Sequence, residues 1–546
     1  MAQPLLRSAG IVSAAVFLSR ITGVVRETLM ARLFGAGQVY DAFLMGMRIP
    51  NLARDLFAEG ALSAAFVPVF TRYLSTRGKR EAAELSNLVA TALTLVVGGV
   101  CVVGIVFTPE VVRIVAPGFE RVPGKFELAV LLTRIMFPFL LLVSLAAQAM
   151  GLLNASDRYG VPALASTFFN IGSVGFGLLI GYTVGRSFDH GLIVSMAIGV
   201  VAGGALQLIW QLPSLYRAGF AYRPRFDTSH PGLHEILRLM LPAVLGNAAL
   251  QINAVVNTNI ASTITDASGL VMNGPVSWLG YAFRFMQLPL GVFGVAIASA
   301  SLPAISRSAA LTRMDEFRDT IAQSLGMILL LTIPSSVGLA VLGESMIGTI
   351  YQWGRFGPAD THQTALALTG FSVGLAGYAA IKVLAPAFYA LGDSRTPMWV
   401  SLGSIGINFV CANAMVRWFG LRQAGLALST SLVALFGTAL LFGLLGRRAG
   451  GLHGARLAGT AARVAIAAAI MGVVCWFSSR GIHSLPGSPK LLQIADVAVS
   501  IPLGVAVFYG AARVMGVAEL EALQNACYTF FSNASRSRLN NSPSGD

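Results

Sequence analysis

The chain of 546 residues is 55% hydrophobic and only 11% charged, with a mean hydropathy of +0.72. Soluble domains carry about 25% charged residues, so a water-soluble multidomain protein is excluded, and disorder, collagen and coiled coil go with it. Lys and Arg exceed Asp and Glu by 38 to 24, giving a net charge of +14; in a polytopic membrane protein this excess reads as basic residues kept in cytoplasmic loops, not as a nucleic-acid surface.

At about 20 apolar residues per span, this length accommodates roughly 12 to 15 transmembrane helices. Hydropathy predicts fourteen, in an all-α polytopic fold. The first, 8–34, is read as an uncleaved helix: its apolar run is short, and Arg20, Arg26, Glu27 and Arg32 follow in the same helical pattern without a cleavage context. The second, 40–72, carries Asp41, Arg48, Arg54, Asp55 and Glu59, with Pro50 expected to break it. Spans at 83–108, 128–153, 161–183 and 191–212 complete a first group of six. The next six lie at 236–263, 276–305, 320–343, 362–391, 396–416 and 423–445, with Arg284 in the second of them and Lys382 in the fourth. Two more, 458–478 and 491–513, precede a polar tail. The domain plan is therefore 1–230, 231–450, a helix pair in 451–514 and a solvated cytoplasmic tail at 515–546.

An even number of spans puts both termini on one side. Lys and Arg outnumber those of the opposite loops by about two to one on that side, which assigns it to the cytoplasm.

Two segments recur about 236 residues apart. GALSAAFVPVFTR at 60–72 is similar to VAIASASLPAISR at 295–307, pairing Pro68 with Pro303. LLNASDRYGVP at 152–162 is similar to FYALGDSRTP at 388–397, pairing Asp157 with Asp393. Six spans separate the copies, so the two six-helix lobes are expected to be parallel repeats, with the last two helices outside them.

Enzyme signatures are lacking. The run Gly118…Gly124-Lys125 has one residue too many for a P-loop, and Phe126 stands where a Ser or Thr would hold magnesium. His230 and His234 flank Pro231 at a helix start, while His190, His362 and His483 are isolated in outer loops. Cys101, Cys411, Cys475 and Cys527 lie far apart without a CxxC pair, so no disulfide framework, metal site or cofactor is expected.

Charges inside the spans carry the information. An Arg or Asp at the bilayer centre costs about 2.5–3.5 kcal/mol on the insertion scale, so such residues face a partner or a cavity. Ion pairing, such as Arg20 with Glu27, and helix-end placement of Arg32, Asp41 and Glu59 account for part of the set. They cannot neutralise seven cations against four anions. Arg20 and Arg26 are also about 120° apart around their helix. An anion-binding cavity fits better, and guanidinium forks suit phosphate oxygens.

The runs SRITGVVRETLMARLFGAG and DAFLMGMRIPNLARDLFAEGALSAAFVPVF resemble the N-terminal signature of the MurJ (MviN) lipid II flippases, of the multidrug/oligosaccharidyl-lipid/polysaccharide exporter superfamily. The similarity continues through VAPGF (115–119), GLLN (151–154), FRFMQLPLGVFGVAIA (283–298) and KVLAPAFYA (382–390). It implies two lobes around a cationic cavity, a tail groove by helices 13 and 14, and lipid II moved outward across the inner membrane by alternating access. It implies that Arg20, Arg26, Arg54 and Arg284 bind the substrate, with Glu27, Asp41, Arg48, Glu59 and Lys382 as supporting cavity charges. Asp55 departs from a basic residue common after Arg54, and Phe283 and Gln287 replace acids that flank the helix-8 arginine. Some family members are proposed to hold sodium among helices 7, 11 and 12. The matching stretches here offer Asn253, Asn257, Asn408, Asn413 and Thr430 but no carboxylate, so amide bonding between helices is expected there and coupling to the membrane potential instead. Membrane lipids and peptidoglycan synthesis machinery are the implied partners. The alternatives are an exporter of another polyprenyl-linked glycan or a drug, and a membrane enzyme acting on the same lipid.

Overall fold

Apolar composition with few breaks dictates helix, and residues 2–54, 62–185, 190–521 and 523–524, which a computed structural model describes, are helical almost throughout. They fold as two compact units, Met1–Ser277 with Trp353–Gly357 and Trp278–Gln352 with Pro358–Asp546. The first holds α1 (Ala2–Phe34), α2 (Gln38–Ala53), α3 (Ser63–Thr76), α4 (Lys79–Val106), α5 (Thr108–Val115), α6 (Lys125–Ala155), α7 (Gly160–Thr183), α8 (Gly191–Ala218) and α9 (Pro231–Ser262). The boundary is crossed by α10 (Pro275–Pro289). The second unit continues with α11 (Ala296–Ala310), α12 (Met314–Tyr351), α13 (Pro358–Ser372), α14 (Leu375–Ala390), α15 (Arg395–Asn413), α16 (Arg422–Ala449), α17 (Gly454–His483) and α18 (Pro489–Val514).

Ten helices are long and apolar enough to cross a membrane among the described residues, or eleven if the bent pair α13–α14 is one span. The expected count of fourteen also needed α1, the α2–α3 region and α9. Charges lower the apolarity of α1 and α2, and Gln251, Asn253, Asn257 and Asn259 lower that of α9. Pro50 does not end α2, which runs three residues further to Ala53. Residues 55–61, including Asp55 and Glu59, lie outside the described residues.

The compact units follow the packing of the helices. The first unit extends past residue 230 because α9 packs on α3, α4 and α5. Arg48 donates to the Ala254 carbonyl at 3.0 Å, and Arg72 pairs with Glu235. The helices α17 and α18 pack on α12 inside the second unit. The segment after α18 begins as packed chain and not as a solvated tail: Val517 and Leu520 join a cluster with Leu330, Val464 and Ala467, and Thr460 donates to the buried Glu519 at 3.0 Å.

Lipid is as apolar as leucine, so helix pairs here adhere through small residues and polar bonds. On α8, Gly199 and Gly203 let α7 approach so closely that a Cβ would lie 2.3 Å from the Ser173 carbonyl oxygen and 2.7 Å from that of Phe169, respectively. The 43° break between α13 and α14 is held likewise. A Cβ on Gly374 would sit 2.5 Å from the Ser431 Cα, and the Ser431 hydroxyl donates to the freed Gly370 carbonyl at 2.7 Å. The helix after Pro289, which lacks an N–H, runs as a π segment over Leu290–Val295.

The repeated turns share one geometry, one residue out of the sequence alignment. Asp157 takes φ +59 while the N–H of Arg158 donates to the Leu153 carbonyl at 2.9 Å. Gly392 takes φ +75 while the N–H of Asp393 donates to the Phe388 carbonyl at 2.9 Å. Both are Schellman caps. They match Asp157 with Gly392, because the left-handed position decides the fit. Asp393 is freed to cap α15; bonds from the Thr396 hydroxyl and N–H, then the Arg448 guanidinium, hold its carboxyl below the usual carboxylate range.

Candidate functional site

The α1 arginines are built on a helix that Asn170 of α7 fastens: its amide donates to the Ser19 carbonyl and the Thr22 hydroxyl, each at 3.2 Å. Arg20 is exposed on this helix. Arg26 is half-buried, 3.6 Å from Glu27 and 5.4 Å over the Phe169 ring. The ring lies to one side of the guanidinium. Glu27 thus meets the neighbouring Arg26, where the sequence suggested Arg20. Arg54 caps the described end of α2 through its own backbone N–H, bonded to Asn51 and Pro50 carbonyls. Those three arginines lie in the first unit. The second carries Arg284 on α10 and Lys382 on α14, both exposed. Phe283, beside Arg284, packs edge-on to Phe371 at 5.4 Å.

Asp41 sits in a constellation of its own. It is fully buried, and both carboxylate oxygens are occupied. One accepts from Lys125 Nζ and the Gly274 N–H, each at 2.8 Å; the other accepts from the Ser277 N–H at 2.9 Å and its hydroxyl at 2.5 Å. Lys125, equally buried, also donates to Asn273 at 3.0 Å and lies 4.3 Å over the Phe119 ring. Lys125 falls between the expected spans 83–108 and 128–153; its position directly after Gly124, at the start of α6, offered no hint of a buried partner 84 residues away.

A second carboxylate was overlooked although the signal was present. Asp496 is an acid inside the last expected span. Fully buried, it accepts from Ser345 at 2.5 Å, Ser479 at 2.7 Å and Ser500 at 2.6 Å, with His483 Nε2 3.4 Å away. His483 is therefore not isolated. The Ser429 hydroxyl donates to the Asn408 side-chain carbonyl at 3.1 Å between α15 and α16. Cys101, Cys411 and Cys475 are free thiols, and no group of three His, Cys, Asp or Glu is placed to hold a metal among the described residues.

The profile of the family described as lipid II flippase MurJ matches residues 30–491. The chain belongs to the MurJ family. A probable lipid II flippase MurJ of Vibrio cholerae serotype O1 is 36% identical over 445 residues, 80% of this chain and 82% of that protein. The lipid II flippase MurJ of Burkholderia cenocepacia is 33% identical over 523 residues, 94% and 98% of the two chains. Among solved structures, a lipid II flippase MurJ in an inward closed conformation shares the fold with a TM-score of 0.74 at 24% identity, covering 92% of this chain and 98% of that one. An inward-facing multidrug resistance MATE transporter of the MOP superfamily gives 0.66 at 13% identity over 81% and 98%. The fold is that of a multi-pass helical transporter. The MurJ profile spans Asp41, Arg48, Arg54, Glu59, Arg284 and Lys382, while Arg20, Arg26 and Glu27 precede it.

Proposed function

We infer that this bacterial membrane protein is a lipid II flippase, a transporter and not an enzyme, whose cargo is the undecaprenyl-diphosphate-linked precursor of peptidoglycan. The observation that carries the mechanistic reading is the concentration of arginines on α1, α2 and α10, inside or at the ends of apolar helices. Arg20, Arg26, Arg54 and Arg284 clamp the diphosphate, each able to offer two parallel N–H donors to phosphate oxygens. Lys382 and Arg48 add positive potential, and Glu27 orients Arg26. Alternating access then moves the headgroup while the tail follows beside α17 and α18. The cytoplasmic placement of both termini rests on the charge bias of the loops. In cells depleted of their own flippase, expression of this chain should restore lipid II to an external, membrane-impermeant probe. Lipid II that stays on the inner leaflet overturns the reading.

The enzyme alternative draws its best case from Ser345, His483 and Asp496, and the geometry argues against it. A hydrolytic triad needs the imidazole between the hydroxyl and the carboxylate, one nitrogen for each. Here Nε2 faces both, and Ser345 gives its proton straight to Asp496.

Coupling falls to the membrane potential acting on the excess positive charge of the site, about 2.3 kcal/mol per elementary charge at 100 mV. Flipping in sealed vesicles should continue when choline replaces sodium and fall when the potential is collapsed. Sodium-dependent flipping at constant potential would sink this proposal and make Asn257 and Asn408 the first residues to replace.

A further inference from the structure

We propose that a hollow at the far end of α1 is an anion site for phosphate or diphosphate esters at the outer face of the membrane. The cavity measures about 480 Å³ and is lined by Arg32, Phe34, Val39, His190, Leu192 and Arg355, with no carboxylate among the described residues of its wall. Arg32 sits in the last turn of α1, His190 precedes α8, and Arg355 belongs to the Trp353–Gly357 segment of the first unit. Three stretches remote in sequence thus bring three basic side chains to one place.

The backbone is bent to hold them. Gly354, at φ +62, passes so close to α1 that a Cβ would lie 2.4 Å from the Arg32 carbonyl oxygen. Gly35, at φ +66, leaves the matching room for the Arg355 carbonyl, 2.6 Å from where its Cβ would be. Between them, the Arg355 N–H donates to the Arg32 carbonyl at 3.0 Å. His190 takes φ +57, a left-handed conformation that side chains disfavour and that gathers at functional sites. The backbone is therefore pinned at both arginines, and both residues are exposed. Guanidinium forks suit phosphate oxygens, and Phe34, Val39 and Leu192 give the hollow its apolar walls. The volume falls in the usual range for small-ligand sites, about 300–1,000 Å³.

Phosphate esters reach this face from two sources: the diphosphate of the translocated cargo, in which case the site rests on the proposed function, or the headgroups of outer-leaflet phospholipids. The test uses the full chain carrying Arg26→Ala and Arg284→Ala, so that central arginines do not dominate, in zwitterionic phosphatidylcholine nanodiscs titrated with inorganic pyrophosphate. Saturable binding is expected, weakened about tenfold or more by adding Arg32→Ala with Arg355→Ala and partly regained with lysines in their place. Both residues are exposed, so their replacement spares the fold, which the melting temperature checks. Phosphatidylglycerol in the discs separates the sources: if it blocks pyrophosphate, phospholipid fills the site, and if it does not, the site is open to the cargo. Either result supports an anion site. No pyrophosphate binding in phosphatidylcholine discs, or binding indifferent to Arg32 and Arg355, overturns it. Failure of the flippase reading appears separately, as lipid II that stays inside while pyrophosphate still binds.

Discussion

Replacing Arg26 or Arg284 by alanine is expected to abolish growth of flippase-depleted cells while protein levels stay near normal. A charge-assisted bond to an anion contributes about 1.5–3 kcal/mol, and a bidentate fork lost from the centre of a site removes roughly tenfold to hundredfold in affinity. The fold should tolerate both changes. Arg284 is exposed, and Arg26 gives up a contact with Phe169 and a pair with Glu27 at 3.6 Å, each a modest contribution. Lysine should rescue poorly at either position, because a point charge keeps the attraction and loses the fork. Growth supported by both alanine variants would refute the phosphate-clamp role.

The other large effect concerns stability. Lys125→Met keeps most of the side chain's length and removes the cation that neutralises Asp41, leaving a carboxylate of 0% exposure without its counter-charge. Breaking one side of a buried pair costs about 3–5 kcal/mol. The full chain in detergent should therefore melt well below the parent. Asp41→Leu should be damaging too, since the Gly274 and Ser277 donors lose their acceptor. Combined, the two changes should cost less than their sum, with a coupling of about 2 kcal/mol or more. Strictly additive losses, or a Lys125→Met protein that melts with the parent, would show that the pair is not the fastening its geometry indicates.

Fold class, membrane character and the arginines of α1, α2 and α10 were legible in the sequence because they depend on local composition: an apolar run announces a span, and a charge within it stands out. What stayed hidden depends on contact. Asp41 looked like one more cavity charge because its partner lies 84 residues away on another helix. The Asp157–Asp393 pairing was one residue out because letters were matched, while the chain matches the left-handed position at Gly392. Pro50 was expected to break the second span, but α2 runs through it to Ala53. The cavity at Arg32 could not be read at all, since its wall is drawn from three distant segments.

The Asp496 cluster bears on how the protein is made. An acid inside a span opposes insertion, by up to about 3 kcal/mol at the bilayer centre. The hydroxyls that solvate Asp496 come from Ser345 on α12 and Ser479 on α17, both synthesised before it, and from Ser500 of α18 itself. Ser345 and Ser479 precede Asp496 in the chain, so two of the three groups that take the place of water are made before it. The final span thus carries its acid into a polar socket whose other walls, on α12 and α17, come earlier in the chain.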